Sequence, residues 1–322
     1  MPVVDMPIEK LQKYQGITPC PADFDAVWDG MLCDLDKLEL QYTLKDSGFE
    51  TAFAECLDLY FIGTKGAKVH AKYWRPKHAK EKSPILLKFH GYACASEEWT
   101  SNLHYVAEGF CVAEMDCRGQ NGCSEMVERV SGSAFHNYFI RGLEGPVEDM
   151  PYVQVFLDTA MLAKVVKSLP ETDETRVAVT GGSQGGGLSV ACAALVPDIK
   201  LAAPIYPFLS DYKRVWQMDQ CNGAYKEVRD YFRNYDPLHE REEEIFTKLG
   251  YVDVQNFAKR IRAEVQMTTC LMDTTCPAST QFAIYNKLTC KKKHLIYPDF
   301  GHEKITGNQP RVFQFLRQLK SM

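Results

Sequence analysis

Arg176-Val177-Ala178-Val179-Thr180-Gly181-Gly182-Ser183-Gln184-Gly185-Gly186-Gly187-Leu188-Ser189-Val190-Ala191-Cys192-Ala193-Ala194 is the stretch on which the reading of this chain turns. Its first five residues form a short run rich in β-branched side chains, the pattern of a buried strand. Its last nine are small or apolar and suit a helix packed closely on that strand. Between them lies Gly181-x-Ser183-x-Gly185, a strand-to-helix turn that holds a serine in a strained conformation with its hydroxyl clear of the sheet. Glycine is needed on both sides because a β-carbon there would collide with neighbouring backbone. Such a pentapeptide arises by chance in about one chain in ten of this length. The flanking strand and helix make it a nucleophile elbow.

A serine hydroxyl is a weak nucleophile at neutral pH, so a base must take its proton and an acid must orient that base. Behind an elbow the chain order is serine, then Asp or Glu, then His. Three of the eight histidines follow Ser183. His239 sits in a charged helical stretch, and His294 lies inside a strand beside three lysines. His302, in Asp299-Phe300-Gly301-His302-Glu303, falls in a loop between the last strand and the last helix, where the base belongs. Asp273 is the first polar residue past the preceding strand and is the expected acid, whereas Asp299 is placed to brace its own turn. A tetrahedral oxyanion needs donors. The N–H of Gln184, at the start of the elbow helix, is one. The N–H of Tyr92, in His90-Gly91-Tyr92, is the other. Backbone donors need no metal and no cofactor.

Outward from the elbow, the spacing predicts strands at 54–62, 68–75, 85–89, 110–115, 201–206, 265–272 and 294–297, with helices around 23–38 and 153–168. Strand alternating with helix implies a mostly parallel central sheet with helices on both faces. Right-handed crossovers then gather the strand C-termini, and the unusual loops that follow them, on one edge. Residues 207–264 break the alternation with aromatic-rich helical sequence, read as a helical insertion over that edge or as added core packing. No linker or repeat divides the chain, so a single domain over 1–322 is expected, with 1–40 as an N-terminal helical segment.

Composition closes off other classes. The 322 residues carry a net charge of −5, which argues against a nucleic-acid partner. No apolar run approaches the ~18–20 residues of a membrane span, and the first residues lack the apolar core of a signal peptide. None of the 12 cysteines pairs as Cys-x-x-Cys, so no zinc or redox motif is indicated. A reduced, cytoplasmic protein with free thiols is the expectation.

Together, Arg118-Gly119-Gln120, the elbow, His302-Glu303, His90-Gly91-Tyr92, Trp99 and Asp273-Thr274-Thr275-Cys276-Pro277 resemble the cephalosporin C deacetylase and acetyl xylan esterase family (carbohydrate esterase family 7) of α/β-hydrolases, over essentially the whole chain. The resemblance implies the α/β-hydrolase fold and a serine esterase acting on acetylated xylo-oligosaccharides or an antibiotic ester such as cephalosporin C. It implies Ser183, Asp273 and His302 as the triad and Tyr92 and Gln184 at the oxyanion hole. Arg118, Gln120 and Glu303 would support the site, Arg118 through charge-assisted bonds that hold the triad loops. It implies also a homo-hexamer with sites facing an inner cavity. In the family a glycine follows Arg-Gly-Gln directly, whereas here Asn121 precedes Gly122, and residues 140–149 also differ. Two other readings are a general short-chain carboxylesterase and, from a different class, a non-catalytic binding relative, which would be expected to lose a triad member.

Overall fold

The computed structural model describes residues 4–131 and 138–322. They form a nine-stranded sheet in the order β1-β2-β3-β5-β4-β6-β7-β8-β9. The strands are β1 (Tyr42–Asp46), β2 (Ala54–Ile62), β3 (Lys68–Pro76), β4 (Ser83–Phe89), β5 (Cys111–Met115), β6 (Thr172–Gly182), β7 (Leu201–Ile205), β8 (Glu264–Cys270) and β9 (Lys292–Tyr297). From β5 to β9 across the sheet every ladder is parallel, and β1, β2 and β3 add an antiparallel edge.

Burial on both faces explains why the inner strands read as continuous apolar runs. In β4, Ile85, Leu87 and Phe89 point into the larger core, beneath the helices Pro151–Lys167 and Gln184–Leu195. Leu86 points the other way, into a second core with Tyr105, Phe315 and Leu316 from the helices Leu103–Ala107 and Asn308–Arg317. Period-two alternation thus feeds two helical layers.

The expected strands all form, β2 with the expected ends and the others with shifted ones. β6 begins earlier, at Thr172, and β8 stops at Cys270, so Leu271 and Met272 lead into Asp273 as loop. β1 was not expected. It is a half-solvated edge strand in which only Leu44 is even partly covered, so it has no apolar alternation to read.

The N-terminal helix Phe24–Asp36 docks through Trp28, which is fully buried, donates its Nε1–H to Tyr251 O at 3.0 Å and stacks against Phe156. The 207–264 stretch both packs and reaches. Tyr212, Tyr225 and Phe232 join the larger core, while Glu227, on the helix Lys226–Tyr235, extends to the loop after β4. Asp211 ties this stretch to the N-terminal segment by accepting the N–H groups of Ile17 and Thr18 at 2.9 Å and the Tyr14 hydroxyl at 2.7 Å. Among the described residues, no helix is long and apolar enough to cross a membrane.

β4 has β5 on one side and β6 on the other, so successive connections leave it in opposite directions. Such a switch point opens a crevice at the strand C-termini. The loops that hold Tyr92, Arg118 and Ser183 leave β4, β5 and β6 there.

Candidate active site

β6 ends at Gly182, and Ser183 follows at φ 57°, ψ −120°, capping the helix Gln184–Leu195. Positive φ costs a residue with a side chain on the order of 1–3 kcal/mol and persists only where the surroundings hold it. They do so here by close approach: a β-carbon on Gly181 would come within 2.6 Å of Phe89 O, and one on Gly185 would strike the same carbonyl. The Ser183 carbonyl accepts from Phe208 N at 2.9 Å and its N–H donates to Ile205 O at 3.0 Å. The turn is pinned from both sides.

Three residues distant in sequence meet at this turn. His302 Nε2 lies 3.0 Å from Ser183 Oγ, and its Nδ1 lies 2.8 Å from Asp273 Oδ2. Asp273 is wholly buried and His302 about a quarter exposed. The other carboxylate oxygen of Asp273, Oδ1, accepts the N–H groups of Thr275 at 2.9 Å and Cys276 at 2.7 Å. Oδ2 is therefore the oxygen left for the imidazole, with Gln281 Nε2 more distantly placed at 3.5 Å. Glu303 accepts from Gly301 N at 3.1 Å and so braces the tip of the histidine loop. In chemical terms the line from Oγ through the imidazole to a buried carboxylate can move a proton off the serine.

The expected oxyanion elements lie against each other. Gln184 Nε2 reaches the carbonyls of His90 at 3.3 Å and Gly91 at 3.4 Å, so the Tyr92 loop crosses the N-terminus of the elbow helix. At the first position of that helix, the Gln184 N–H has no intrahelical acceptor. Gln120 couples the two elements: its Nε2 donates to Gln184 Oε1 at 2.8 Å, and its Oε1 accepts from Ala93 N at 2.9 Å. His90 holds the loop's base, its Nδ1 facing Gly91 O at 2.7 Å and its Nε2 accepting Cys117 N–H at 2.9 Å. Burial lowers the pKa of His90, which suits an imidazole that accepts at one nitrogen and donates at the other. The Tyr92 ring is packed edge-on against Tyr138 and Phe208, and its hydroxyl bonds Glu227.

Arg118 is the correction. It makes the expected charge-assisted bonds, but not to the triad loops. Its guanidinium grips Asp158 on the helix Pro151–Lys167 through two nitrogens, Glu128 at 2.6 Å, and the Thr64 carbonyl and hydroxyl at 3.0 Å. All three charged side chains are fully buried, and a buried guanidinium must be matched by the carboxylates that share its cavity. Arg118 therefore staples the turn after β2 to a core helix.

Sequence reasoning missed two neighbours. The Tyr152 hydroxyl donates to Gln184 Oε1 at 2.6 Å from inside an apolar helix that carries no outward signal. Tyr206, at positive φ, lays its ring 4.8 Å from the His302 imidazole. Donor atoms of Asp273, Cys276 and His302 also fall within 4.8 Å of one another. Cys276 is fully buried, however, and burial pushes its thiol well above the ordinary range. That thiol stays protonated beside the serine.

Comparison with known proteins bears on the family and the fold. Residues 1–319 match the acetyl xylan esterase (AXE1) family model. The structure superposes on acetyl xylan esterase 1 from Thermoanaerobacterium sp. JW/SL YS485 with a TM-score of 0.96 at 51% identity, covering 98% of this chain and 99% of that one. An acetyl xylan esterase from Paenibacillus sp. R4 gives 0.92 at 32% identity, covering 97% and 99%. The acetyl esterase Axe7A of Xylanibacter ruminicola is 30% identical over 304 residues, which cover 91% of this chain but only 65% of that longer protein.

Proposed function

The chain belongs to the acetyl xylan esterase family, and from that premise we propose that it is a serine esterase hydrolysing acetyl esters through an acyl-enzyme. The observation that carries the reading is the His302 Nε2 to Ser183 Oγ contact of 3.0 Å, continued by the 2.8 Å contact to Asp273. Ser183 Oγ attacks the acetyl carbonyl carbon as His302 Nε2 takes its proton, and Asp273 stabilises the imidazolium through Nδ1–H. The N–H groups of Gln184 and Tyr92 receive the oxyanion, each worth about 3–4 kcal/mol of barrier. Collapse breaks the ester C–O bond, and the leaving alcohol takes the proton from His302. Water, deprotonated by the same nitrogen, then attacks the acetyl-serine carbonyl; the acyl C–Oγ bond breaks, Ser183 Oγ takes the proton back from His302, and acetate leaves. Gln120 sets the spacing of the two donors, Glu303 the histidine loop, and Arg118 the scaffold behind them.

The substrates proposed are acetylated xylo-oligosaccharides, which the names of the relatives support, and cephalosporin C as a second acetyl ester. The ring of Tyr92, wedged by Phe208 and Tyr138 and tethered to Glu227, favours a small acyl group, while the leaving alcohol faces outward. We place the enzyme in the cytoplasm, as a single-domain chain assembled into a homo-hexamer. Free cysteines throughout the described chain support the first, and the resemblance to the carbohydrate esterase family supports the assembly.

The test is kcat/KM for p-nitrophenyl acetate, butyrate and octanoate with the wild type and Ser183→Ala. The acetate value should exceed the butyrate value at least tenfold, about 1.4 kcal/mol, and the variant should lose activity and fluorophosphonate labelling while keeping its fold. A butyrate value equal to the acetate value would instead identify a general carboxylesterase.

A further inference from the structure

Beside the Arg118–Gln120 loop, His70 on β3, Asp116 directly after β5 and Cys123 in the loop beyond it converge. One donor atom from each lies within 4.8 Å of the others. His70 and Asp116 are buried, whereas Cys123 is exposed. We propose that this is a divalent-metal site of the zinc class, with His70 Nδ1, Asp116 Oδ2 and Cys123 Sγ as ligands and a water in the fourth position.

The donor set selects the ion. Imidazole, carboxylate and thiolate together suit zinc, whereas calcium and magnesium require oxygen alone. The surroundings are those of a ligating histidine. His70 Nδ1 faces Asp116 Oδ2 at 2.6 Å, and its other nitrogen, Nε2, faces Asp58 Oδ1 on β2 at 2.9 Å. A carboxylate on the non-ligating nitrogen fixes ring orientation and raises ligand basicity. Tetrahedral bonds of about 2.0–2.1 Å place ligand atoms roughly 3.3 Å apart, so His70 and Asp116 need part only slightly. The ion takes the place of the proton held between Nδ1 and Oδ2 and of the thiol proton of Cys123, and both protons leave to solvent.

The backbone is already wrapped for this task. Cys123 N donates to Asp116 Oδ2 at 2.9 Å, Ser124 Oγ donates to Asp116 O at 2.6 Å, and His70 N donates to Ser124 Oγ at 2.9 Å. The chain crosses the carboxylate so closely at Gly122 that a β-carbon there would sit 2.5 Å from Asp116 Cβ. Exposed Cys123 supplies the entry path. An ion here would clamp residues 116–123, the segment that carries Gln120, and Asp116 Oδ1 already holds Ser96 N in the Tyr92 loop at 2.7 Å. Its role is to fix that loop, and the proposal stands whether or not the esterase reading does.

The experiment uses the full chain after chelator treatment, titrated with Co²⁺ and followed by absorption, then with ZnCl2 by calorimetry and thermal unfolding. One cobalt per chain should bind with tetrahedral d–d bands and a thiolate charge-transfer band, and zinc should raise Tm. Cys123→Ser should abolish the charge-transfer band and weaken zinc at least tenfold; because Cys123 is exposed, this variant folds. Cys276→Ser should leave both signals intact. A charge-transfer band that survives Cys123→Ser, one that disappears with Cys276→Ser, or no band at micromolar cobalt would each overturn the assignment.

Discussion

Asp273→Asn is the substitution in which the geometry makes the sharpest demand. Asp273 Oδ1 accepts two backbone N–H groups, from Thr275 and Cys276, so in the variant the amide oxygen must take that position. The amide NH2 is then forced into the place of Oδ2, 2.8 Å from His302 Nδ1, where it donates instead of accepting. The imidazole is driven into the tautomer with its proton on Nε2, which cannot take the proton of Ser183 Oγ. Where a triad carboxylate has been changed in this way, the wrong tautomer costs about 10⁴ in kcat, or about 5.5 kcal/mol of barrier. Because both backbone donors keep their acceptor, Tm should move little and KM should stay within a few-fold. The assay is steady-state hydrolysis of p-nitrophenyl acetate, with fluorophosphonate labelling as a check on the serine. Activity within tenfold of wild type would refute the reasoning, and a large loss in Asp299→Asn instead would move the acid to that residue.

Arg118→Ala should cost about 3–5 kcal/mol in urea unfolding, since it strands the buried carboxylates of Asp158 and Glu128; the folded fraction should retain near-normal kcat, because the bonds of Arg118 go to Asp158, Glu128 and Thr64. His294 is stacked on Tyr285 and bonded to Thr269 Oγ1 at 2.8 Å. Burial, and then the charge of Lys292, pushes its pKa down to about 3, against about 6.5 in the unfolded chain. The unfolded state therefore binds a proton that the fold refuses, and this contribution is complete above about pH 6.5 and is lost as pH falls. Between about pH 7.5 and pH 5 the wild type should lose about 2 kcal/mol that a His294→Gln variant does not, read from urea unfolding at the two pH values.

What the sequence discloses depends on whether the physical cause is local. β4 and β6 are legible because both faces are buried and the run of apolar residues is itself the signal, while β1 is a mostly solvated edge in which only Leu44 is partly covered, and it leaves no pattern. Ser183 is legible because the strain at φ 57° needs glycines at fixed offsets. Asp273 and His302 follow because loops after parallel strands must share one edge. Partners that meet only through tertiary packing write no spacing: His70 and Asp116 are 46 positions apart, and Tyr152 looks like one more core residue. The Arg118-Gly119-Gln120 motif shows the boundary between the two cases. Read as a string it promises one support for one site. In the fold, Gly119 at φ 65° turns the chain between its neighbours, a conformation open to glycine with little cost. Arg118 then points to Asp158 in the core helix, and Gln120 points to Ala93 and Gln184 at the oxyanion elements. The glycine sets the divergence locally, but what each arm grips is decided by β2, β4 and the helix Pro151–Lys167. The same residues thus anchor the scaffold with one arm and, in the mechanism proposed above, space the two N–H donors with the other. Loss of Arg118 should accordingly be felt as stability, and loss of Gln120 as chemistry.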